Sequence, residues 1–390
     1  MTRWDRVELG RVAKIVRSSV SPDELSPDTA YLGLEHLQRG GRIIGSSTVA
    51  AEELLSSKFQ FDSGDILYGK LRPYLAKISA PDFSGVCSTD ILPVRPGANL
   101  DSRYLLHWLR QPSMVKFASA RAKGANLPRL APSELARFGI LLPPLAEQKR
   151  IAAVLDQVDA LRAKRREAIA LLDDLAQHIF LDMFSGDRIP VRGRLGDHLA
   201  FITSGGRGWA KYYSESGSRF IRSLDVRMNE IWSDGAAFIQ APDDAEARRT
   251  RIESGDVLLT ITGSRIGRVA PVPSGLEGAY VSQHVAILRP DHAKMKAEYL
   301  SWFLSLPSEG QRQIEKMQYG QSKPGLNFRQ ISDFSIPVPE VPAQEKFVER
   351  VRSVGALQNV HRTHLATLDE LFESLQQRGF AGQLWDHEAA

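Results

Sequence analysis

The chain has 390 residues, with 50 Lys and Arg against 46 Asp and Glu; its length allows about two to three domains, and the net charge of +4 is only mildly basic. A single cysteine, Cys87, excludes a disulfide framework and a zinc cluster of several thiolates. The start MTRWDRVELG has no apolar signal core and no apolar run approaches the roughly 20 residues of a membrane span, so a cytoplasmic protein is expected.

RVELG at 6–10 opens a first globular part of mixed α/β character, in which VRSSVSPDELSPD carries Arg17 but no aromatic residue. The SGD turn at 63–65 introduces a strand at Ile66-Leu67-Tyr68, and a second strand is expected at Val94-Arg95. Between them YGKLRPYLAK places Lys70, Arg72, Tyr74 and Lys77 in a turn. A helix is expected over Tyr104–Leu109, followed by ARAKGANLPRL with Arg121, Lys123, Asn126 and Arg129. Lys and Arg neutralise phosphate or pair bidentately with guanine, and Asn suits adenine.

The proline-rich hinge LLPPLAEQ then sets up a long helix. From Ile151 its apolar residues fall at Val154, Leu155, Val158, Leu161, Ala168, Leu172, Leu175 and Ile179, the three-four alternation of a coiled-coil seam, and it is expected to stop near Gly186. About 35 residues of helix span roughly 50 Å.

A second globular part repeats the plan. TSGGRGWAKYY offers Arg207, Trp209, Lys211, Tyr212 and Tyr213, and strands are expected at Val257–Ile261, Val269-Ala270 and Val285–Leu288. TGSRIGRVA places Thr262, Ser264, Arg265 and Arg268 just after the second SGD turn. Its glycines read as a strand turn, because the lysine and helix of a nucleotide loop are missing. After a helix over Tyr299–Leu304, MQYGQSKPGLNFRQ offers Gln318, Tyr319, Gln321, Ser322, Lys323, Asn327 and Arg329. The hinge PVPEVPAQ leads into a second long helix with apolar residues at Val351, Val354, Leu357, Leu368, Leu371 and Leu375, ending near Gly379 or Gly382.

The two copies align without a gap from Gly124 to Gly186 against Gly320 to Gly382, an offset of about 196 residues. Gly124 matches Gly320, Pro128 Pro324, Phe138 Phe334, Pro143 Pro339 and Gln148 Gln344. Upstream, SGDIL faces SGDVL, with the offset drifting as loop insertions would make it. The expected organisation is 1–143 and 187–339 as two globular domains, with 144–186 and 340–390 as spacer helices paired antiparallel. Arg165 and His361 interrupt the seam at one repeat-equivalent position, which fixes register. No phosphate loop, HExxH, GxSxG or His/Cys ligand set is present, so no covalent chemistry and no metal site are expected.

The layout resembles the DNA-specificity subunit of type I restriction-modification systems over essentially the whole chain. ILLPPLAEQKRIAAVLDQVDAL and SGDILYGKLRPYL look like that family's recurrent motifs; the second copy departs from the first with Gln344-Glu345 in place of Gln148-Lys149. The resemblance implies two target-recognition domains that each bind one half of a split, asymmetric double-stranded DNA site, with the helices setting the distance between halves. It implies a non-catalytic subunit that binds no cofactor itself. Two modification subunits would carry S-adenosylmethionine, and two restriction subunits would use ATP and Mg. The residues assigned to DNA are Lys70, Arg72, Tyr74, Lys123, Asn126, Arg129, Arg207, Trp209, Lys211, Tyr212, Thr262, Ser264, Arg265, Arg268, Gln321, Ser322, Lys323 and Asn327. A coiled-coil scaffold without DNA binding and a stand-alone DNA-acting enzyme are the competing readings.

Overall fold

The apolar run Ile66–Gly69, launched from the SGD turn, is buried along its whole length, as expected of a central strand. In this computed structural model, which describes residues 4–52, 54, 56–184, 191–320 and 324–384, it lies in a four-stranded sheet ordered Ala13–Ile15, Ile91–Pro96, Ile66–Gly69, Ile78–Ser79. The repeat forms a sheet of the same order from Leu199–Ser204, Val285–Pro290, Val257–Thr260 and Val269–Pro271, every neighbouring pair antiparallel. Beside it in each half stands a sheet that has diverged. The first has five strands, with Ala30–Leu32 parallel to Gly85–Cys87; the second has four, with Ser218–Ile221 parallel to Tyr280–Val281. A two-stranded pair closes each globular part, Arg6–Glu8 with Gly139–Leu141 and Arg192–Arg194 with Ser335–Pro337. The architecture is the expected mixed α/β repeat.

The SGD aspartates hold the central strands in place. Asp65, 2% exposed, accepts Nε and Nη2 of Arg95, both at 2.8 Å, and the Asp62 N–H at 2.9 Å. Asp256 accepts Arg289 Nε at 2.7 Å and Nη2 at 2.9 Å, and the Glu253 N–H at 2.7 Å. Two parallel charge-assisted bonds fix both position and angle. Arg95 lies in PVRP at 93–96 and Arg289 in AILRP at 286–290, a likeness between the two halves that could have signalled the clasp.

The long helices run over Leu145–Phe184 and Val341–Ala381, each starting at its proline hinge. The repeated glutamine anchors each start. Gln148 Oε1 accepts the Asp101 N–H at 2.8 Å while Nε2 donates to the Pro143 and Asn99 carbonyls at 2.8 and 3.0 Å. Gln344 makes the same three bonds with Lys296, Pro339 and Lys294, each at 2.8 Å. Both glutamines are fully buried, and each satisfies hinge and loop groups that the hinge prolines cannot pair. Gly382, at φ 76°, takes the left-handed position just past the second helix, whereas Gly379 lies inside it. Gly186 lies outside the described residues.

The chain divides into two compact units, residues 1–166 with 362–390 and residues 167–361, so each unit contains one globular part and a portion of each long helix. In the first unit Arg162 donates to Asp369 at 2.6 Å; in the second Gln358 donates to Asp173 at 2.7 Å. These are the same two repeat positions with the helices exchanged, so within each unit the two helix portions run antiparallel. Most of the expected seam faces inward, with Ile151, Leu155, Val158, Val351 and Val354 buried, but four of its leucines do not. Leu161, Leu175, Leu357 and Leu371 are exposed, and Arg162 lies in the pair with its side chain only 17% exposed, over the Phe372 ring. The aliphatic stem of arginine covers apolar surface while its head stays paired. No helix is long and apolar enough to cross a membrane among the described residues.

Candidate nucleic-acid interface

The two basic loops of each half, more than 50 residues apart in sequence, are joined backbone to backbone. In the first unit the Leu130 N–H donates to the Lys70 carbonyl at 2.9 Å and the Arg72 N–H to Pro128 at 2.7 Å. Lys123 and Arg129 exchange N–H···O bonds at 3.0 and 2.9 Å, so the Gly124–Pro128 segment projects as a tip. The second unit repeats the joint: Leu326 donates to Ile261 at 2.9 Å, Gly263 to Pro324 at 3.1 Å, and Tyr319 and Gly325 exchange bonds at 2.9 and 2.8 Å. Lys70, Arg72, Tyr74, Lys123, Asn126 and Arg129 are thereby brought to one place in the first unit.

Their electrostatics are set by a residue the sequence reading missed. Asp90 accepts Arg129 Nε at 3.1 Å and lies 3.8 Å from Lys70 Nζ, so these two cations face a carboxylate that neutralises part of their field. Arg72 differs. It is exposed, its side chain makes no hydrogen bond or ion pair among the described residues, and its backbone is left-handed at φ 50°. The equivalent residue of the second unit is Gly263, at φ 88°. The joint thus demands a conformation that glycine adopts without strain, and the first unit places an arginine there at a cost of about 1 kcal/mol or more. Tyr74 is 48% exposed beside it, and Lys123 and Asn126 are exposed on the tip.

In the second unit Ser264 and Arg265 are exposed, Arg268 is half-buried, and Thr262 Oγ1 lies 2.5 Å from His284 Nδ1. His284 stands where the first unit has Asp90, so the equivalent positions carry an acid in one unit and an imidazole in the other. Asn327 is occupied locally: its side chain caps the helix Phe328–Ser332, accepting the Gln330 N–H at 2.9 Å, with Gln330 bonded back to the Asn327 N–H. Gln321, Ser322 and Lys323 lie outside the described residues. GSRIG forms the expected turn between two paired strands.

The third cluster separates into surface and core. Arg207 and Lys211 are exposed, with Lys211 Nζ 4.8 Å from the centroid of the half-buried Tyr212 ring. Trp209 departs from the expectation of a surface aromatic. It is 3% exposed, stacks on Phe220 at 6.0 Å, and donates Nε1–H to Glu246 at 3.0 Å. A ring of this size contributes most when buried with its one N–H satisfied.

Asp, Glu, His and Cys side chains do not gather into a group of three or more fit to hold a metal among the described residues. Cys87 is buried, and burial pushes its thiol well above the ordinary value, leaving it protonated and unreactive. What the loops offer is donors: guanidinium, ammonium, amide and hydroxyl groups on a frame held by backbone bonds.

Comparison with known proteins agrees with this layout. Over 189 residues the chain is 29% identical to the Type I restriction enzyme EcoDI specificity subunit of Escherichia coli, a match covering 47% of this chain and 42% of that protein. It is 20% identical over 412 residues to the Type I restriction enzyme MjaVIII specificity subunit of Methanocaldococcus jannaschii, covering 98% and 93% of the two chains. The match thus spans less than half the length of the Escherichia coli relative. Among solved structures, the fold is similar to a Type-I restriction-modification system S subunit from M. genitalium (TM-score 0.61, 15% identity, 97% and 96% coverage). It is similar also to a chain of a structure described as the basis of complex assembly and conformational transition of the type I R-M system (TM-score 0.58, 20% identity, 98% of each chain). The model of the type I restriction modification DNA specificity domain matches residues 1–171 and again residues 241–370, and the chain belongs to that family.

Proposed function

We propose that this chain reads a bipartite, asymmetric double-stranded DNA target, one half-site per globular part, and scaffolds the modification and restriction subunits that act on it. The observation that carries the reading is the duplicated loop joint. Each half builds the same backbone frame and furnishes it with different side chains: Lys70, Arg72, Asp90, Asn126 and Arg129 in one, Thr262, Arg265, Arg268 and His284 in the other. One frame with two sets of donors suits two different half-sites.

In this reading the chain performs no chemistry. S-adenosylmethionine, ATP and Mg belong to two modification and two restriction subunits, and this chain holds none of them. The long helices act as spacer, and in each unit their exposed apolar residues, Leu161 and Leu371 in the first and Leu171, Leu175, Leu357 and Val360 in the second, offer a modification subunit a place to dock. Co-expression with the modification subunit, followed by sequencing of methylated adenines, tests the reading. A discontinuous target, half of which changes when residues 1–143 are exchanged for those of a relative, is the expected result. Methylation of unrelated sites, or cleavage of DNA by the purified chain with Mg alone, would refute it.

A further inference from the structure

Each globular part receives the end of the long helix that comes from the other half, and the two sockets are built from different chemistry at equivalent positions. In the first unit the incoming end presents Phe372, Gln376, Gly379 and Phe380. The Phe380 ring lies 5.0 Å from Tyr104, Phe372 lies 6.0 Å from the His107 ring, and buried Gln376 donates Nε2–H to the His107 carbonyl at 3.2 Å. That carbonyl belongs to the last turn of the helix Ser102–Leu109, where intrahelical partners run out. Gly379 packs against the start of the first long helix, where a Cβ would stand 3.1 Å from Ile151 Cγ2.

The second unit has Ala176, Phe180, Met183 and Phe184 at those positions. Phe180 stacks on Tyr299 at 5.6 Å and meets Phe347 edge-on at 5.4 Å, while Phe184 repeats the Phe380 contact at 5.2 Å from Tyr299. Ala176 is buried, and Met183 packs on the same cluster. Phe347 fills the place of Ile151, and Trp302 that of His107. The polar groups differ in parallel: Arg103 and His107 pair with Asp156 in the first socket, whereas Glu298 pairs with Arg352, charges reversed, in the second.

We propose that these sockets are an address: the end of the second long helix fits only the first globular part, and the end of the first only the second. Unlike halves therefore pair in preference to like halves from two copies of the chain. The polar pairs of the seam do not discriminate, since a like pairing would replace Arg162–Asp369 and Gln358–Asp173 by Arg162–Asp173 and Gln358–Asp369, both workable. The sockets do. The first helix end in the first socket would drive the Met183 side chain into Ile151, leave a hole where Phe372 stood, and strand the His107 carbonyl. The second helix end in the second socket would put the Gln376 amide among Tyr299, Phe303 and Phe347, where the equivalent Trp302 carbonyl already accepts the Ser305 hydroxyl at 2.8 Å and the Leu306 N–H at 3.2 Å.

The test uses the full chain with a protease site inserted between Gly186 and Asp187, cut after folding. The two parts, one carrying a mass tag, are exchanged through mild denaturant and scored by native mass spectrometry. Unlike pairs in about tenfold or greater excess over either like pair are expected from the packing differences. Ala176→Phe/Phe180→Gln/Met183→Gly, which gives the first helix the other address, should raise pairs of two N-terminal parts to parity. Gln376→Phe/Gly379→Met should do the same for two C-terminal parts. Like and unlike pairs in equal amounts from the unsubstituted chain overturn the proposal even if a variant fails to fold. So does a folded variant with an unchanged distribution.

Discussion

The carboxylate of Asp65 lies in the protein interior with its two oxygens on the forked nitrogens of Arg95, Oδ1 2.8 Å from Nε and Oδ2 2.8 Å from Nη2. The Asp65 side chain is 2% exposed and that of Arg95 42%, so the acid has lost its water and the base has kept part of its own. Asp65→Ala therefore removes a charge-assisted pair and a turn anchor together. Urea unfolding is expected to show a loss of about 2–3 kcal/mol in the unit that contains it. Because Asp65 bonds Arg95 and the Asp62 N–H rather than any group of the loop joint, the methylated half-sites of a folded variant should be unchanged; altered half-sites would make this aspartate part of the recognition surface.

Arg72 separates backbone strain from recognition. Arg72→Ala removes the guanidinium and keeps a side chain at φ 50°, whereas Arg72→Gly removes the guanidinium and relaxes the backbone. Arg72→Gly should be the more stable of the two by about 0.5–1 kcal/mol in thermal unfolding. Both should lose the same affinity for the cognate duplex, about 1–3 kcal/mol if the guanidinium pairs bidentately with a base. Equal affinity of both variants and the parent in a salt-controlled binding assay would remove Arg72 from the reader.

Much of the scaffold was legible in the sequence because its signals are local. SGD followed by apolar residues gives a turn and a buried strand, and the proline hinges and three-four alternation give the long helices. The clasp of Asp65 with Arg95 and the Gln148 anchor were visible only as repeated letters, since each joins segments 30 or 47 residues apart. Near Leu161 the seam was read one position off because arginine counts as polar, although its stem packs as an apolar one does: Arg162 lies inward and Leu161 outward. Trp209 was assigned to DNA together with Arg207 and Lys211 as one basic and aromatic cluster; tertiary burial against Phe220 leaves no mark in that phrase. The merging of the two loops depends on sheet pairing across the domain, so Asp90 gave no signal of its own.

Asp156 supplies a pH dependence. Burial raises its pKa, but hydrogen bonds from His107 and Arg103 outweigh that and hold it at about 2, below the ordinary carboxylate value of 3.8. A group depressed in the folded state adds stability that is fully present above its unfolded pKa and is lost as pH falls through the folded one. Asp156→Asn should therefore lower the midpoint of thermal unfolding at neutral pH. The gap to the unsubstituted chain should close as pH falls from about 4 towards 2. A gap that stays constant across that window would mean the carboxylate's charge is not what holds His107 and Arg103.

The spacer role proposed for the long helices makes a quantitative prediction about their length. Matched insertions, one after Arg166 in the first long helix and one after His361 in the second, preserve the seam only in whole heptads. One heptad adds about 10 Å, the length of about three base pairs, and turns the helix end by only about 20°. Three base pairs turn the DNA by about 100°, so the distant half-site would face away from its reader. Three heptads add about 31 Å, close to the roughly 34 Å of a full DNA turn, and restore the phase. Adenine methylation should thus fall with one heptad and return with three, at the same half-sites now separated by about nine or ten more base pairs. Recovery with one heptad, or an unchanged gap with three, would mean that something other than these helices sets the distance.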